Sequence, residues 1–282
     1  MADNEKKIYG LVGFPIGHSL SPKMHNAAFQ TLGLSAEYQL FSLKPEELDG
    51  FVHSLAAENI HGFNVTVPYK ELFLKYLSWK SLDVETIGAV NTVRVINGNY
   101  LKGYNTDGWG FFTHLKSDLM FNPKDKNIAI IGAGGGAKAV CAILAQKGVR
   151  QISIFDLDAQ KSTMLAERLQ KVFSKCIVRT AENIKDLNLK ENQLLVNATP
   201  VGLKEDDSCL ITQDDVHKDL LVYDLIYNPP ETKLLKVALQ GKAKTSNGLG
   251  MLFYQGTAAF ERFTDFRLTN EVRNEMWRSL FT

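Results

Sequence analysis

Apolar and polar residues alternate in blocks along this chain, short apolar runs of strand length being followed by stretches in which apolar residues recur every three or four positions. The first such block is the run 8–12, which leads into a loop rich in Gly, Pro and Ser and then into a helix predicted from about Pro22. A second helix is predicted to start at Pro45, because proline suits a first helical turn and Leu48, Phe51, Val52 and Leu55 follow at i, i+3, i+4 and i+7. That stripe reads as core. Residues 92–96 and 100–104 flank Asn97-Gly98-Asn99, where Asn-Gly supplies the positive φ angles of a tight hairpin turn. After Asn122-Pro123 a second unit opens with the strand 128–131, which runs directly into a glycine-rich loop and a helical stretch to about Lys147. Further apolar strands fall at 152–155, 194–196 and 221–223, and the helices between them imply parallel order. From Gly248 onward the pattern is again helical, and it leaves open which unit this segment packs on. The pattern predicts an α/β chain with mainly parallel sheets, in two units.

Composition narrows the classes of function. A chain of 282 residues suits two domains of ordinary size. Its 45% apolar and 22% charged residues are ordinary for a soluble protein, and no apolar run approaches the ~18 residues that a bilayer span needs. No membrane association is expected. The 32 basic and 31 acidic residues are interspersed, so no broad field awaits a nucleic acid and a small-molecule partner fits better. Cys141, Cys176 and Cys209 are far apart and odd in number, which argues against disulfides and a structural zinc, and no metal site is expected. The polar start Met1-Ala2-Asp3-Asn4-Glu5-Lys6-Lys7 carries no export signal, so the cytoplasm is the expected location.

The glycine-rich loop carries the first chemistry. Gly132-x-Gly134-x-x-Ala137 matches the G-x-G-x-x-G/A dinucleotide fingerprint in its required context, between a strand and a helix. Gly132 permits the tight turn, Gly134 lets the backbone approach a pyrophosphate, Ala137 allows close packing of helix on sheet, and the helix N-terminus attracts the phosphates. The alternative is a plain glycine turn. Asp156, at the end of the next strand, lies where such domains place the carboxylate that bonds the adenosine ribose, and it would repel a 2′-phosphate. It can equally belong to a helix start, with Asp158 as the cap.

The first unit holds more polar residues at strand ends and in loops than packing requires: Ser19, Ser21, Asn64, Thr66, Lys70, Asn91, Asn105 and Asp107. Hydroxyls and amides of this kind suit a small polyhydroxylated acid. Ser21 is either a ligand contact or the N-cap of the helix at Pro22. Lys70 is placed in the first turn of a helix opening near Pro68, where the dipole and burial would lower its pKa and Asp107 would hold its proton available. The alternative is an exposed surface lysine.

In chain order, the motifs resemble the shikimate dehydrogenase family over nearly the whole sequence. They are Gly13-Phe14-Pro15-Ile16-Gly17-His18-Ser19-Leu20-Ser21-Pro22-Lys23-Met24-His25-Asn26, Asn64-Val65-Thr66-Val67-Pro68-Tyr69-Lys70, Ala89-Val90-Asn91-Thr92 and Asn105-Thr106-Asp107-Gly108 in the first part. Asn197-Ala198-Thr199-Pro200, Asp224-Leu225-Ile226-Tyr227-Asn228-Pro229 and Gly248-Leu249-Gly250-Met251-Leu252 through Gln255 follow in the second.

The resemblance implies an α/β substrate domain of residues 1–107 and 250–282, a Rossmann-type doubly wound dinucleotide domain of 108–249, and a cleft between them. It implies reversible NAD(P)-dependent reduction of 3-dehydroshikimate to shikimate in aromatic amino acid biosynthesis, by a monomer or homodimer. Lys70 and Asp107 would be the catalytic pair, and Ser19, Ser21, Asn64, Thr66, Lys70, Asn91, Asp107, Tyr227 and Gln255 would bind substrate. Gly132, Ala133, Gly134, Gly135, Gly136, Ala137 and Asp156 would hold pyrophosphate and adenosine, with Thr199, Leu225 and Gly248 toward the nicotinamide. Most members carry Asn-Arg-Thr where this chain has Asp156-Leu157-Asp158, so NADP is the family default while Asp156 and the missing arginine favour NAD. Ser19-Leu20-Ser21 keeps the shikimate-type pattern. The alternatives are a quinate/shikimate dehydrogenase of broader specificity that uses NAD, and a non-catalytic metabolite-binding regulator, against which the intact Lys70 and Asp107 count. A dinucleotide domain serving unrelated chemistry is disfavoured because both halves carry site motifs.

Overall fold

The computed structural model describes residues 5–282, and the first four residues of the polar start lie outside the described residues. The chain divides into two compact units, one running up to Gly110 and completed by Leu252–Thr282, the other spanning Phe111–Met251.

The first unit contains β1 (Lys7–Gly13), α1 (Ser21–Thr31), β2 (Ala36–Ser42), α2 (Leu48–Ser54), β3 (Ile60–Val65), β4 (Trp79–Lys80), α3 (Leu82–Ile87), β5 (Thr92–Ile96), β6 (Tyr100–Tyr104) and the start of α4 (Asp107–Ser117). Its sheet runs in the order β2-β1-β3-β5-β6-β4. The strands β2, β1 and β3 are parallel, but β5 is antiparallel to both β3 and β6, so this sheet is mixed where mainly parallel order is predicted. The hairpin is the reason: Asn97 and Gly98 take φ angles of 50° and 75° and reverse the chain, pairing Ile96 with Tyr100. The helix predicted at Pro45 opens as a single 3₁₀ turn, Pro45–Glu47, before α2 buries Leu48 and Phe51.

This topology gathers one edge of the sheet. β1 and β3 both end there, and because β5 runs against β3, the start of β5 and the end of β6 arrive at the same edge, with Thr92 opposite both Asn64 and Tyr104. The loops after β1 and β3 are tied by Thr66 N–H to Val12 C=O (2.9 Å) and Phe14 N–H to Val67 C=O (3.1 Å).

The second unit contains β7 (Asn127–Ile131), α5 (Gly135–Gln146), β8 (Gln151–Phe155), α6 (Ala159–Val172), β9 (Ile177–Thr180), β10 (Leu194–Asn197), β11 (Leu221–Asp224), α7 (Lys233–Gln240) and β12 (Lys244–Ser246). All six strands are parallel, in the order β12-β11-β10-β7-β8-β9. β10 and β11 are buried along their whole length and β7 over all but its first residue, as continuous apolar runs in a two-faced parallel sheet should be. The chain leaves β7 toward β8 and β9, then returns to the other flank of β7 as β10. The point where the order reverses, between the carboxyl ends of β7 and β10, is where open α/β sheets bind ligands. Two helices follow, α8 (Leu249–Thr264) and α9 (Asn270–Arg278), and α9 packs on α1 within the first unit.

Candidate active site

At the gathered edge of the first unit, Lys70 Nζ donates to Asp107 Oδ2, and the two side chains are only 15% and 6% exposed. Lys70 is not in a first helical turn as predicted. Tyr69 N–H closes a tight turn onto Thr66 C=O (2.8 Å), and the following 3₁₀ helix, Leu72–Tyr76, begins only beyond Lys70. The dipole argument for this lysine therefore falls, and position and partner remain. Asp107 opens α4, with its backbone N–H bonded to Asn105 Oδ1 at 3.1 Å. Asn105 is thus used locally, since its Nδ2 also donates to Ala89 C=O (2.9 Å).

Asn91 links the pair to its surroundings. Its Nδ2 donates to Asp107 Oδ1 (2.9 Å), Thr106 Oγ1 (2.9 Å) and Gln255 Oε1 (3.2 Å), while its Oδ1 accepts from Thr106 N–H and from Thr92 Oγ1, both at 2.8 Å. Gln255 reaches this point because Gly110 lets α8 approach α4: a Cβ on Gly110 would lie 2.5 Å from the Gln255 nitrogen. Asn64 Nδ2 donates to Asn91 C=O (2.9 Å) and Thr92 Oγ1 (3.2 Å), and its Oδ1 accepts from the Tyr38 hydroxyl (2.8 Å). Ser21 is not the N-cap of α1. Leu20 takes that position without a side-chain cap, and Ser19 Oγ accepts from Ser21 N–H (3.2 Å). Ser19, Ser21, Asn64, Thr66, Lys70, Asn91, Asp107 and Gln255 all belong to this unit, whereas Tyr227 is carried by the second unit in the loop after β11.

The second unit gathers the other set at its switch point. Gly132 sits at φ 107°, and a Cβ there would lie 2.9 Å from Ala198 C=O and 3.0 Å from Thr199 Cγ2, so only glycine allows the loop after β7 to lie against the end of β10. A Cβ on Gly134 would meet nothing within 4 Å, and α5 begins without a side-chain cap. Its first-turn N–H groups therefore border open space, which fits a dinucleotide pyrophosphate. Asp156 Oδ2 accepts from Ala133 N–H (2.7 Å) and Oδ1 from Asp158 N–H (2.9 Å), while Asp158 caps α6 through Gln160 N–H (3.1 Å). Asp156 is thus fixed against the glycine loop. Leu225 lies between Gly136 and Gly248, where a Cβ would be 3.4 Å from its Cδ1 and 2.1 Å from its carbonyl oxygen respectively.

Residues not assigned from sequence brace this second set. Asp224, fully buried at the end of β11, accepts from Asn197 Nδ2 (3.0 Å), Thr232 Oγ1 (2.7 Å) and Ile226 N–H (3.1 Å), and burial raises its pKa. Asn197 Oδ1 in turn accepts from Thr199 N–H (3.1 Å) and Oγ1 (2.7 Å). Their signal was in the sequence, since each is a polar residue ending an otherwise apolar strand. Among the described residues no group of three or more His, Cys, Asp or Glu side chains is placed to hold a metal, and no helix is long and apolar enough to cross a membrane.

A Rossmann-type unit with a glycine loop at its switch point, joined to a unit that holds a shielded Lys–Asp pair among amides and hydroxyls, defines an NAD(P)-dependent oxidoreductase with its own substrate domain. Residues 11–93 match the model of the shikimate dehydrogenase substrate binding domain and residues 115–219 that of shikimate / quinate 5-dehydrogenase. The shikimate dehydrogenase (NADP(+)) of Methanopyrus kandleri is 43% identical over 278 residues, covering 97% of this chain and 95% of that protein. The crystal structure of shikimate 5-dehydrogenase from Listeria monocytogenes in complex with shikimate and NAD is similar with a TM-score of 0.85 at 36% identity, over 96% of each chain. That from Thermus thermophilus in complex with NADP(H) and shikimate has a TM-score of 0.84 at 33% identity, over 97% of this chain and 99% of that one. The chain belongs to the shikimate dehydrogenase family.

Proposed function

We propose that this chain interconverts 3-dehydroshikimate and shikimate, with Lys70 and Asp107 as its catalytic pair. The observation that carries the reading is the Lys70–Asp107 ion pair, shielded from solvent and locked by Asn91. A desolvated ion pair is weak evidence for stability, so its place among ligand-type groups argues for chemistry. When bound, the nicotinamide supplies or accepts the hydride. Lys70 gives a proton to the developing alkoxide at C3 and takes it back in the oxidation direction. Asp107 holds the amine, and because Oδ1 is fixed by Asn91 while Oδ2 faces Nζ, the carboxylate keeps one orientation. Ser19, Ser21, Thr66, Gln255 and Tyr227 supply further hydroxyl and amide contacts to the substrate. Asn64 has both N–H groups engaged and one oxygen lone pair filled, so it offers an acceptor to a substrate hydroxyl. Lys70→Ala should lower kcat by about 10²–10⁴ while shikimate binding is largely kept. An undiminished kcat would refute the assignment.

Within the nicotinamide cofactors we infer a preference for NAD. Asp156 supports it, as a carboxylate fixed beside the loop where a 2′-phosphate would stand, with no arginine at 157 to offset it. The NADP(+) in the names of the curated relatives supports the opposite choice, which makes Asp156 the deciding residue. Initial rates with shikimate and each cofactor test it, and a strong NADP preference would overturn it. Exchanging Asp156→Asn with Leu157→Arg should shift the ratio of kcat/KM values toward NADP by roughly tenfold or more. Rates on quinate in the same assays measure how narrow the substrate choice is.

A further inference from the structure

We propose that Tyr38 is a positioning residue for the substrate, acting through Asn64; the proposal rests on the reading of Asn64 as a substrate contact. Tyr38 is 1% exposed, so it does not touch a ligand itself. It lies on β2, the edge strand, where its backbone is completed by Asn26 of α1: Tyr38 N–H donates to Asn26 Oδ1 (2.8 Å) and Tyr38 C=O accepts from Asn26 Nδ2 (3.0 Å). Its ring is held flat against His25, with centroids 4.3 Å apart and planes 9° apart. With backbone and ring both fixed, the hydroxyl has one place to be. There it donates to Asn64 Oδ1 (2.8 Å).

The Asn64 amide is thus oriented by one buried phenol. Burial keeps the phenol pKa well above its ordinary value, so the hydroxyl stays a donor at any working pH. From Asn64 the bonds continue through Asn91 to Asp107 and Lys70. Tyr38 is therefore the outer anchor of the line on which the substrate contacts and the catalytic pair are strung.

The test is Tyr38→Phe, which removes one oxygen and keeps the ring stack, compared with Asn64→Ala and the double variant. Loss of one such hydrogen bond should raise the KM for shikimate roughly three- to tenfold, with kcat and the KM for the nicotinamide cofactor unchanged. In the double variant the Tyr38 effect should vanish, because the phenol acts through the amide. A fall in kcat with shikimate KM unchanged is what a merely structural role gives, and it would overturn the proposal. So would additive effects in the double variant, or a Tyr38→Phe protein that no longer folds. If Asn64→Ala leaves the shikimate KM unchanged, the site reading itself fails; if it raises KM and Tyr38→Phe does not, only the role of Tyr38 fails.

Discussion

His25 is a titratable side chain without a polar partner: both ring nitrogens are buried and lack a hydrogen bond, and its pKa is pushed down to about 3 by burial. In the unfolded chain the imidazole takes a proton near pH ~6.5. Between these values the unfolded state holds the extra proton, so stability falls as pH falls, by up to about 1.4 kcal/mol per pH unit from this residue. Above the unfolded value its contribution is fully present. His25→Phe should keep the stack on Tyr38 and flatten the dependence of Tm on pH between about 6 and 4; an unchanged slope would place the acid sensitivity elsewhere. His25 lies inside the family motif 13–26, one helical turn from Ser21, yet nothing in the sequence separates a ligand-facing histidine from a core one. Lys70 shows the converse. Its neighbour Asp107 was legible, while the helix expected around it was not, because Pro68 and Tyr69 form a turn first.

At the scale of elements, the strands read well where burial on both faces makes them apolar throughout. β7, β10 and β11 stand out in the sequence for that reason. β9 and β12 do not, being short edge strands with mostly exposed or half-buried residues and therefore no pattern to read. The hairpin and the glycine loop were legible because each needs particular residues at particular φ angles. The brace between β10 and β11 was not, since it depends on which strand ends become neighbours. Asp224→Ala should leave Asn197, Thr232 and Ile226 short of an acceptor and cost about 2–4 kcal/mol, read by denaturant unfolding. The KM for the nicotinamide cofactor should rise with it, because Asn197 holds Thr199. A variant that lost stability with cofactor KM unchanged would confine Asp224 to folding.

At the scale of the whole molecule, the first unit is assembled from both ends of the chain. Gln255 meets Asn91 across 164 positions, and α9 buries Val272 and Met276 there. Counting Leu268 and Leu280, ending the chain after Thr264 would remove four large buried apolar side chains and expose what they pack against. At about 1.5–3 kcal/mol each this approaches the whole stability of an ordinary domain. Such a truncation should abolish shikimate turnover, while the second unit, whose residues are all present, still binds dinucleotide. Retained turnover would show that α9 is dispensable. The last helices were visible in the sequence as helices, but their partner was implied only by the family resemblance, because amphipathic spacing gives the buried face and says nothing of what covers it.

The same arrangement fixes an order of events at the ribosome. The segments that carry Asn64, Lys70, Asn91 and Asp107 are translated before the dinucleotide unit, whereas Gln255 and the helices that close their unit are translated after it. The dinucleotide unit, contiguous from Phe111 to Met251, is complete when that closing segment begins. The segment that is translated first should therefore be the last to become resistant to protease, reversing the usual N-terminal-first sequence.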